Sequence, residues 1–152
     1  MGKDGTRVHP PSRSTVMASR HHSTTLAQMP LFAACTDRER RQIAALFDET
    51  AVPAGTVLVT EGELGDQAFI LIDGTADVST SGEYVATLGA GDLVGEMALL
   101  DRSQPRSATV TARTDVTAFV VDPRSFEQLL TRYPRVSRQI AAALARRLRA
   151  AS

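Results

Sequence analysis

The residues with the clearest chemistry lie in the stretch 91–110, which combines glycine, carboxylate, guanidinium and hydroxyl groups. Gly95 opens directly onto Glu96 and a short run of good helix formers. A glycine at a helix start lets a ligand approach the backbone, and the free N–H groups of a first turn attract anions. Ten residues after Glu96 comes Arg106, whose charge is permanent, and Ser107 adds a hydroxyl. Backbone donors, a fixed cation and a hydroxyl together predict a phosphate-binding site.

Glu96 indicates what else the ligand contains. A carboxylate beside a phosphate would repel it, unless the carboxylate contacts a different part of the ligand. Because an ionised carboxylate only accepts hydrogen bonds, a sugar hydroxyl is its natural partner. A cyclic phosphodiester fused to a ribose presents both groups close together, and such a ligand accounts for Glu96 and Arg106 at once.

The residues 95–99 (Gly-Glu-Met-Ala-Leu) and 106–110 (Arg-Ser-Ala-Thr-Val) resemble the phosphate-binding cassette of the cyclic-nucleotide-binding domain family. The spacing between the glutamate and the arginine agrees with that family without a gap. The wider resemblance is to regulatory modules of the catabolite activator and protein kinase A regulatory subunit type, and it covers roughly Leu26 to Leu148.

The resemblance implies how the cassette holds the phosphate of cyclic AMP or cyclic GMP. Arg106 pairs with the ring phosphate, and the backbone N–H groups of Met97 and Ala98 donate to it. Gly95 permits the close approach, and Ser107 adds a hydroxyl nearby. Family members specialised for cyclic GMP often carry threonine after the cassette arginine, so Ser107 favours a modest preference for cyclic AMP.

The rest of the nucleotide is assigned in the same way. Glu96 accepts a hydrogen bond from the ribose 2′-hydroxyl, while Val85, Val94 and Met97 form apolar walls for the base. Leu144, in the last helix, is a candidate lid that folds over the base when nucleotide binds. The predicted response is a rearrangement of the C-terminal helices that signals to an unknown effector, either a separate protein or a segment missing from this chain.

Glycine placement and hydrophobic periodicity predict the fold. Apart from Gly2 and Gly5, every glycine lies between Gly55 and Gly95, in a window flanked by glycine-free helical sequence. Apolar residues with a period of two predict about eight short strands from Val52 onward. Evenly spaced strands with turn glycines indicate a jelly roll or sandwich. We therefore predict a mainly β, α+β fold: an eight-stranded β jelly roll flanked by N-terminal helices and two C-terminal helices.

Turn signals divide the middle of the predicted sheet. Asp73-Gly74 predicts a two-residue hairpin between strands 69–72 and 75–80, and Ser81-Gly82 predicts a second hairpin that leads into residues 84–88. After the cassette, strands at 107–112 and 116–121 bring the number of predicted strands to about eight.

Helix signals lie before the strands. A short helix near residue 23 must end before Pro30. Thr36 and Glu39 form a capping box, from which a helix is predicted to run to about Asp48. Its buried stripe consists of Ile43, Leu46 and Phe47.

Two further helices are predicted after the strands. Asp122 and Pro123 are an N-cap and a first helical residue, and the helix runs to Arg132. Pro134 then opens a last helix that extends to about Ala150. Its apolar stripe recurs every four residues (Val136, Ile140, Leu144, Leu148). A closed jelly roll offers this stripe no obligatory partner, so we predict that it packs loosely without ligand, and a homodimer would form through this helix.

Composition sets the remaining bounds. Residues 1–24 are polar and basic and predict a disordered or weakly ordered tail, while residues 25–152 form one domain. Net charge is zero, so nothing global favours nucleic acid or membrane as a partner. Apolar runs are shorter than a membrane span, and the single cysteine, Cys35, cannot form an internal disulfide. We predict a cytoplasmic protein with no membrane contact.

Enzymatic and DNA-binding functions are disfavoured. A cupin-type metal enzyme needs histidines in its β-body, whereas His9, His21 and His22 all lie in the predicted tail, so neither a metal nor catalysis is predicted. Phosphodiesterase activity would need a metal cluster or a nucleophile–base pair beside the cradle, and we identify neither. Transcription factors of the family carry a helix-turn-helix after the long helix, and the chain ends at Ser152, so no direct DNA binding is predicted. One alternative stays open: a degenerate jelly-roll module that acts as a protein-interaction domain without binding nucleotide.

Overall fold

The protein folds as a sandwich of two antiparallel four-stranded sheets. The computed structural model describes residues 25–96, 99, 101 and 103–151, so the predicted tail at 1–24 lies outside the described residues. Within them the strands are β1 (Asp48–Val52), β2 (Val57–Val59), β3 (Ala68–Asp73), β4 (Ala76–Thr80), β5 (Glu83–Leu88), β6 (Leu93–Val94), β7 (Thr109–Ala112) and β8 (Val116–Val121). One sheet has the order β1-β8-β3-β6 and the other β2-β7-β4-β5. The predicted eight-stranded jelly roll is confirmed.

Helices lie at both ends of the described chain: α1 (Asp37–Ala44), α2 (Pro123–Arg132) and α3 (Pro134–Ala151). The capping box of α1 is present, with Glu39 N donating to Thr36 Oγ1 at 3.1 Å and Thr36 N donating to Glu39 Oε1 at 2.9 Å. Asp122 caps α2 by accepting from the backbone of Ser125 at 2.8 Å. These local signals are correct because each is satisfied within a single turn of chain.

Strands β3 and β8 form the centre of the fold and are buried on both faces. Phe69 and Leu71 pack between the two sheets, whereas the alternate residue Ile70 packs toward the helices. On β8, Phe119 faces the helices and its neighbour Val120 faces the sandwich interior. The core is therefore two apolar layers that share one sheet.

The boundary between α1 and β1 differs from the prediction. The helix ends at Ala44 rather than near Asp48, and Asp48 is instead the first residue of a strand. Asp48 pairs with Val120 of β8. The polar start of β1 is therefore a strand because of this pairing, and not because it has an alternating apolar pattern. Of the predicted stripe, Ile43 and Phe47 are buried, and Phe47 reaches the core from beyond the helix end.

The predicted hairpin at Asp73-Gly74 is wrong. Gly74 does turn the chain, with φ 92°, but β3 and β4 belong to different sheets. The turn therefore carries the chain across the sandwich. The second predicted hairpin is confirmed, since β4 pairs with β5 through Ser81 (φ 54°) and Gly82 (φ 82°). The strand predicted from Ser107 begins at Thr109 instead.

The apolar stripe of α3 has a partner in its first half. Val136 and Ile140 are buried at 0% and 3% exposure in the cluster between the helices and the first sheet. Leu144 is half-buried against the same cluster. The expectation of a stripe without a partner is wrong for this part of the helix. Its residues belong to the apolar cluster that also contains Ile70 and Phe119 of the sheet β1-β8-β3-β6.

Candidate functional site

A cavity of about 670 Å³ is lined by the edge strands β5 and β6, one from each sheet, by residues of β2, β4 and β7, and by the segment between β6 and β7. Its apolar wall includes Val59, Val78, Leu88 and Val110. Among the described residues, its polar side chains all come from the segment between β6 and β7, and they are Glu96, Asp101, Gln104, Arg106 and Ser107. The cavity thus has an apolar part and a polar part, as a nucleotide requires.

Most of the predicted site residues meet in this cavity. Its lining includes the predicted residues Val85, Val94, Gly95, Glu96, Arg106 and Ser107. Val85 and Val94 contribute differently, since Val85 is 59% exposed on the edge strand and Val94 is 2% exposed. Leu144 is not among the described lining residues. Met97 and Ala98 lie outside the described residues.

The Arg106 side chain is fixed by backbone carbonyls. Its Nη1 donates to Gly95 O at 2.9 Å, and its Nη2 donates to Gln67 O at 2.8 Å. These contacts join the end of β6 to the start of β3, so the guanidinium is oriented by the sandwich itself. The two bonds occupy one donor on each terminal nitrogen, and a guanidinium carries five N–H donors.

The electrostatics of this arginine favour an anion in the cavity. Burial lowers the pKa of the Arg106 guanidinium below its usual value, while the nearby carboxylates of Asp66 and Glu96 act in the opposite direction. An arginine does not lose its proton in a protein, so the consequence of burial is a poorly hydrated cation. Such a cation is stabilised by an anionic partner.

Glu96 lies in the cavity wall and is 1% exposed. It follows Gly95, whose φ of 78° is in the left-handed region that favours glycine. Leu99 N donates to Glu96 O at 3.0 Å, so the chain turns directly after the carboxylate. The buried carboxylate and the guanidinium of Arg106 therefore line one cavity, ten residues apart in sequence.

The family model described as the cyclic nucleotide-binding domain matches residues 49–133, more than half of the chain. The chain belongs to the cyclic nucleotide-binding domain family. The matched range contains the sandwich from the second residue of β1 to the end of β8, together with every cassette residue named above. This cyclic nucleotide-binding domain is a regulatory module by family, as the cassette resemblance implied.

Two curated relatives and one solved structure illustrate the similarity. The Pycsar effector protein XpPycTIR of Xanthomonas perforans is 37% identical over 107 residues, covering 70% of this chain and 35% of the relative. The cAMP-dependent protein kinase regulatory subunit of Yarrowia lipolytica is 38% identical over 107 residues, covering 69% of this chain and 28% of the relative. The Thermus thermophilus catabolite activator protein aligns with a TM-score of 0.73 and 32% identity, covering 80% of this chain and 59% of that one.

The domain spans about a third of each of these curated relatives. Among its described residues, no helix combines the length and the apolar character needed to cross a membrane. The same part of the chain holds no group of three or more His, Cys, Asp or Glu side chains that could bind a metal ion. The cytoplasmic location stays a prediction.

Sequence reasoning missed part of the site. Gln67 contributes its backbone carbonyl to Arg106, and a carbonyl leaves no mark in the sequence. Gly65 lies against the same guanidinium and was not predicted as a site residue. Gln104 and Asp101 line the cavity without having been singled out.

Proposed function

We propose that this domain binds cyclic AMP in the cavity and transmits the binding event through α3 to an effector. The observation that carries the proposal is the meeting of Glu96 and Arg106 in one cavity whose remaining wall is mostly apolar. A fixed cation, a buried acceptor and an apolar wall match the phosphate, the ribose hydroxyl and the base of a cyclic nucleotide.

The phosphate is assigned to Arg106, which has N–H donors beyond the two that bind carbonyls. In the proposed complex the backbone amides of Met97 and Ala98 also donate to the phosphate, and Ser107 supplies a hydroxyl at the cavity edge. Gly95 allows the ligand to approach the backbone. An Arg–phosphate contact is charge-assisted and oriented, so it is the largest polar contribution to affinity.

The ribose and base occupy the remaining space. Glu96 accepts from the 2′-hydroxyl, which only a ribonucleotide provides. Val85 and Val94 contact the base from the two edge strands. Ser107 and the relative that is named a cAMP-dependent regulatory subunit both support cyclic AMP over cyclic GMP, by a modest margin.

The response is assigned to the last helix. Leu144 is half-buried against the core beside the more deeply buried Ile140, so this part of α3 is held less firmly than its start. We propose that bound nucleotide draws Leu144 over the base and that the effector detects the moved helix. The effector is either a separate protein or a segment beyond these 152 residues.

Amide hydrogen exchange tests this response. Adding cyclic AMP should raise protection of the backbone amides between Ile140 and Leu148, because a helix packed on ligand opens less often. Protection that rises only in residues 95–107 would show that nucleotide binds but that α3 does not carry the signal.

Calorimetric titration with cyclic AMP, cyclic GMP and 5′-AMP tests the ligand. Cyclic AMP should bind most tightly, cyclic GMP less than tenfold more weakly, and 5′-AMP far more weakly, because its free phosphate lacks the ring geometry. A preference of tenfold or more for cyclic GMP would reverse the assignment of the base. Failure of both cyclic nucleotides to bind would favour the protein-interaction alternative.

A further inference from the structure

The loop of residues 61–67, here named the arginine loop, contacts both the backbone and the side chain of Arg106. Gly62 N donates to Arg106 O at 2.9 Å, and Arg106 N donates to Glu63 O at 2.8 Å. Gln67 O accepts from the guanidinium at 2.8 Å. The loop therefore fixes the position of this residue at its backbone and orients its charged end.

Gly65 lies where the guanidinium passes the loop. A Cβ atom placed on Gly65 would be 2.4 Å from Arg106 Nη2, 2.7 Å from Nε and 2.8 Å from Cζ. Non-bonded heavy atoms attract at about 3.5–4.0 Å, so all three distances are severe overlaps. The three atoms span the guanidinium, which means that the group lies directly against the bare Cα of Gly65.

The backbone conformation does not require a glycine at position 65. Gly65 is not among the residues of positive φ, whereas Gly62 and Gly95 are, at 87° and 78°. An alanine could adopt the Gly65 conformation without backbone strain. The guanidinium is thus the feature that requires a residue without a side chain here.

We propose that Gly65 is a positioning residue for ligand binding: its missing side chain leaves the slot in which Arg106 is held ready for the phosphate. The inference rests on the proposed function, in which Arg106 binds the ring phosphate. Any side chain at position 65 moves the guanidinium away from Gln67 O and from its orientation in the cavity. The overlapping atoms are at the far end of a long side chain, so the protein relieves the overlap by moving the guanidinium and keeps its fold.

The variant Gly65→Ala tests the proposal, with Gly89→Ala as the matched control. Gly89 also has no positive φ, and a Cβ placed there meets nothing within 4 Å. Gly65→Ala should weaken cyclic AMP binding at least about tenfold, the cost of losing one hydrogen bond to a charged group. Gly89→Ala should bind like the parent, within about twofold. Parent-like affinity of Gly65→Ala would overturn the proposal.

Two further variants separate positioning from a general effect on structure. In the Arg106→Lys background, which lacks the forked head, Gly65→Ala should cause no further loss of affinity. A full tenfold loss in that background would mean that Gly65 acts independently of Arg106, and the proposal would fail. The same comparison shows whether the alanine disturbs the loop as a whole.

A ligand-free measurement keeps the proposal testable if the proposed function fails. Urea unfolding of the parent, Gly65→Ala, Arg106→Ala and the double variant forms a double-mutant cycle. Gly65→Ala should lower the unfolding midpoint of the parent but leave that of Arg106→Ala unchanged or raised, because alanine reduces the entropy of the unfolded chain. Equal midpoint shifts in the parent and in Arg106→Ala would show that residue 65 does not act through the Arg106 side chain. If the parent binds no cyclic nucleotide, the proposed function fails, while the cycle still shows whether Gly65 holds Arg106 in place.

Discussion

The two sheets of the sandwich differ in how many of their faces are buried. The sheet β1-β8-β3-β6 packs on the other sheet with one face and on the helices with the other, so consecutive residues such as Phe119 and Val120 are both buried. In the sheet β2-β7-β4-β5, burial alternates: on β7, Val110 is 5% exposed and Thr111 is only partly buried. The first sheet is the scaffold of the domain, and the second has a face open to solvent.

The cavity lies between one edge strand of each sheet, where the two sheets differ most in the burial of their side chains. Its edge strand β5 belongs to the open sheet and exposes Tyr84 and Val85, at 65% and 59%. Its other edge strand, β6, belongs to the buried sheet, and Leu93 and Val94 are both buried. One wall is therefore part of the buried core and the other is open to solvent, where a ligand can enter.

The largest expected effect is a loss of unfolding free energy in variants of the sheet β1-β8-β3-β6, which is buried on both faces. Phe119 is 0% exposed, and its ring centroid lies 5.4 Å from that of Phe47. Phe119→Ala should cost about 3–5 kcal/mol of unfolding free energy, through lost burial and a residual cavity. Val120→Ala, on the opposite face, should cost roughly 2 kcal/mol.

The matched position on the open sheet is Thr111, and Thr111→Ala should change stability by about 0.5 kcal/mol or less. Urea unfolding followed by circular dichroism measures all three variants. A cost for Thr111→Ala as large as that for Val120→Ala would contradict the difference between the sheets.

The next effect concerns ligand binding rather than folding. Arg106→Ala should weaken cyclic AMP binding by about 2–4 kcal/mol, or roughly 30- to 1000-fold, because a charge-assisted contact is lost. Its two carbonyl partners lose their donors while the cost of burying a cation disappears, so unfolding free energy should fall by about 1–3 kcal/mol. Calorimetry and urea unfolding measure the two effects.

Arg113 provides the control for charge. It is exposed on the loop after β7 and lies 3.8 Å from Asp77, so Arg113→Ala should change affinity by less than about threefold. Unchanged binding by Arg106→Ala, or an equal loss in both variants, would remove the specific role of the cassette arginine.

The smallest effect tests the accessible wall. Val85→Thr keeps the branched shape but replaces a methyl with a hydroxyl, and it should weaken cyclic AMP binding by about 1 kcal/mol at most. Stability should change by about 0.5 kcal/mol or less, since Val85 is exposed. Val57→Thr is the control, because Val57 is exposed on the opposite edge strand of the same sheet. Equal affinity of both variants would exclude Val85 from base contact.

Local sequence signals predicted local structure correctly. The capping box at Thr36 and the cap at Asp122 depend on residues three apart, so their outcome is decided within one turn. The turn at Ser81-Gly82 was predicted for the same reason, since Gly82 accepts a positive φ without strain and a reversal needs only these two residues. The cassette was also recognised, because Glu96 and Arg106 keep a fixed spacing along the chain.

Signals that depend on a distant partner failed. Asp73-Gly74 carries the composition of a hairpin, yet β3 pairs with β8 and β6 instead of β4. Asp48 continues an apparently helical segment, yet it pairs with Val120 in a distant strand. A turn residue sets the reversal of the chain, but the pairing partner depends on which apolar faces must be buried together.

The permanent cation and the carboxylate of the cavity follow from the sequence alone, as do their fixed spacing and the alternating strands of a sandwich. How the cation is held depends on the tertiary structure. The carbonyls of Gly95 and Gln67 and the bare Cα of Gly65 meet at Arg106 because the end of β6, the arginine loop and the segment before β7 converge there. Backbone carbonyls are identical in every residue, so their position is specified by the fold and by nothing in the local sequence.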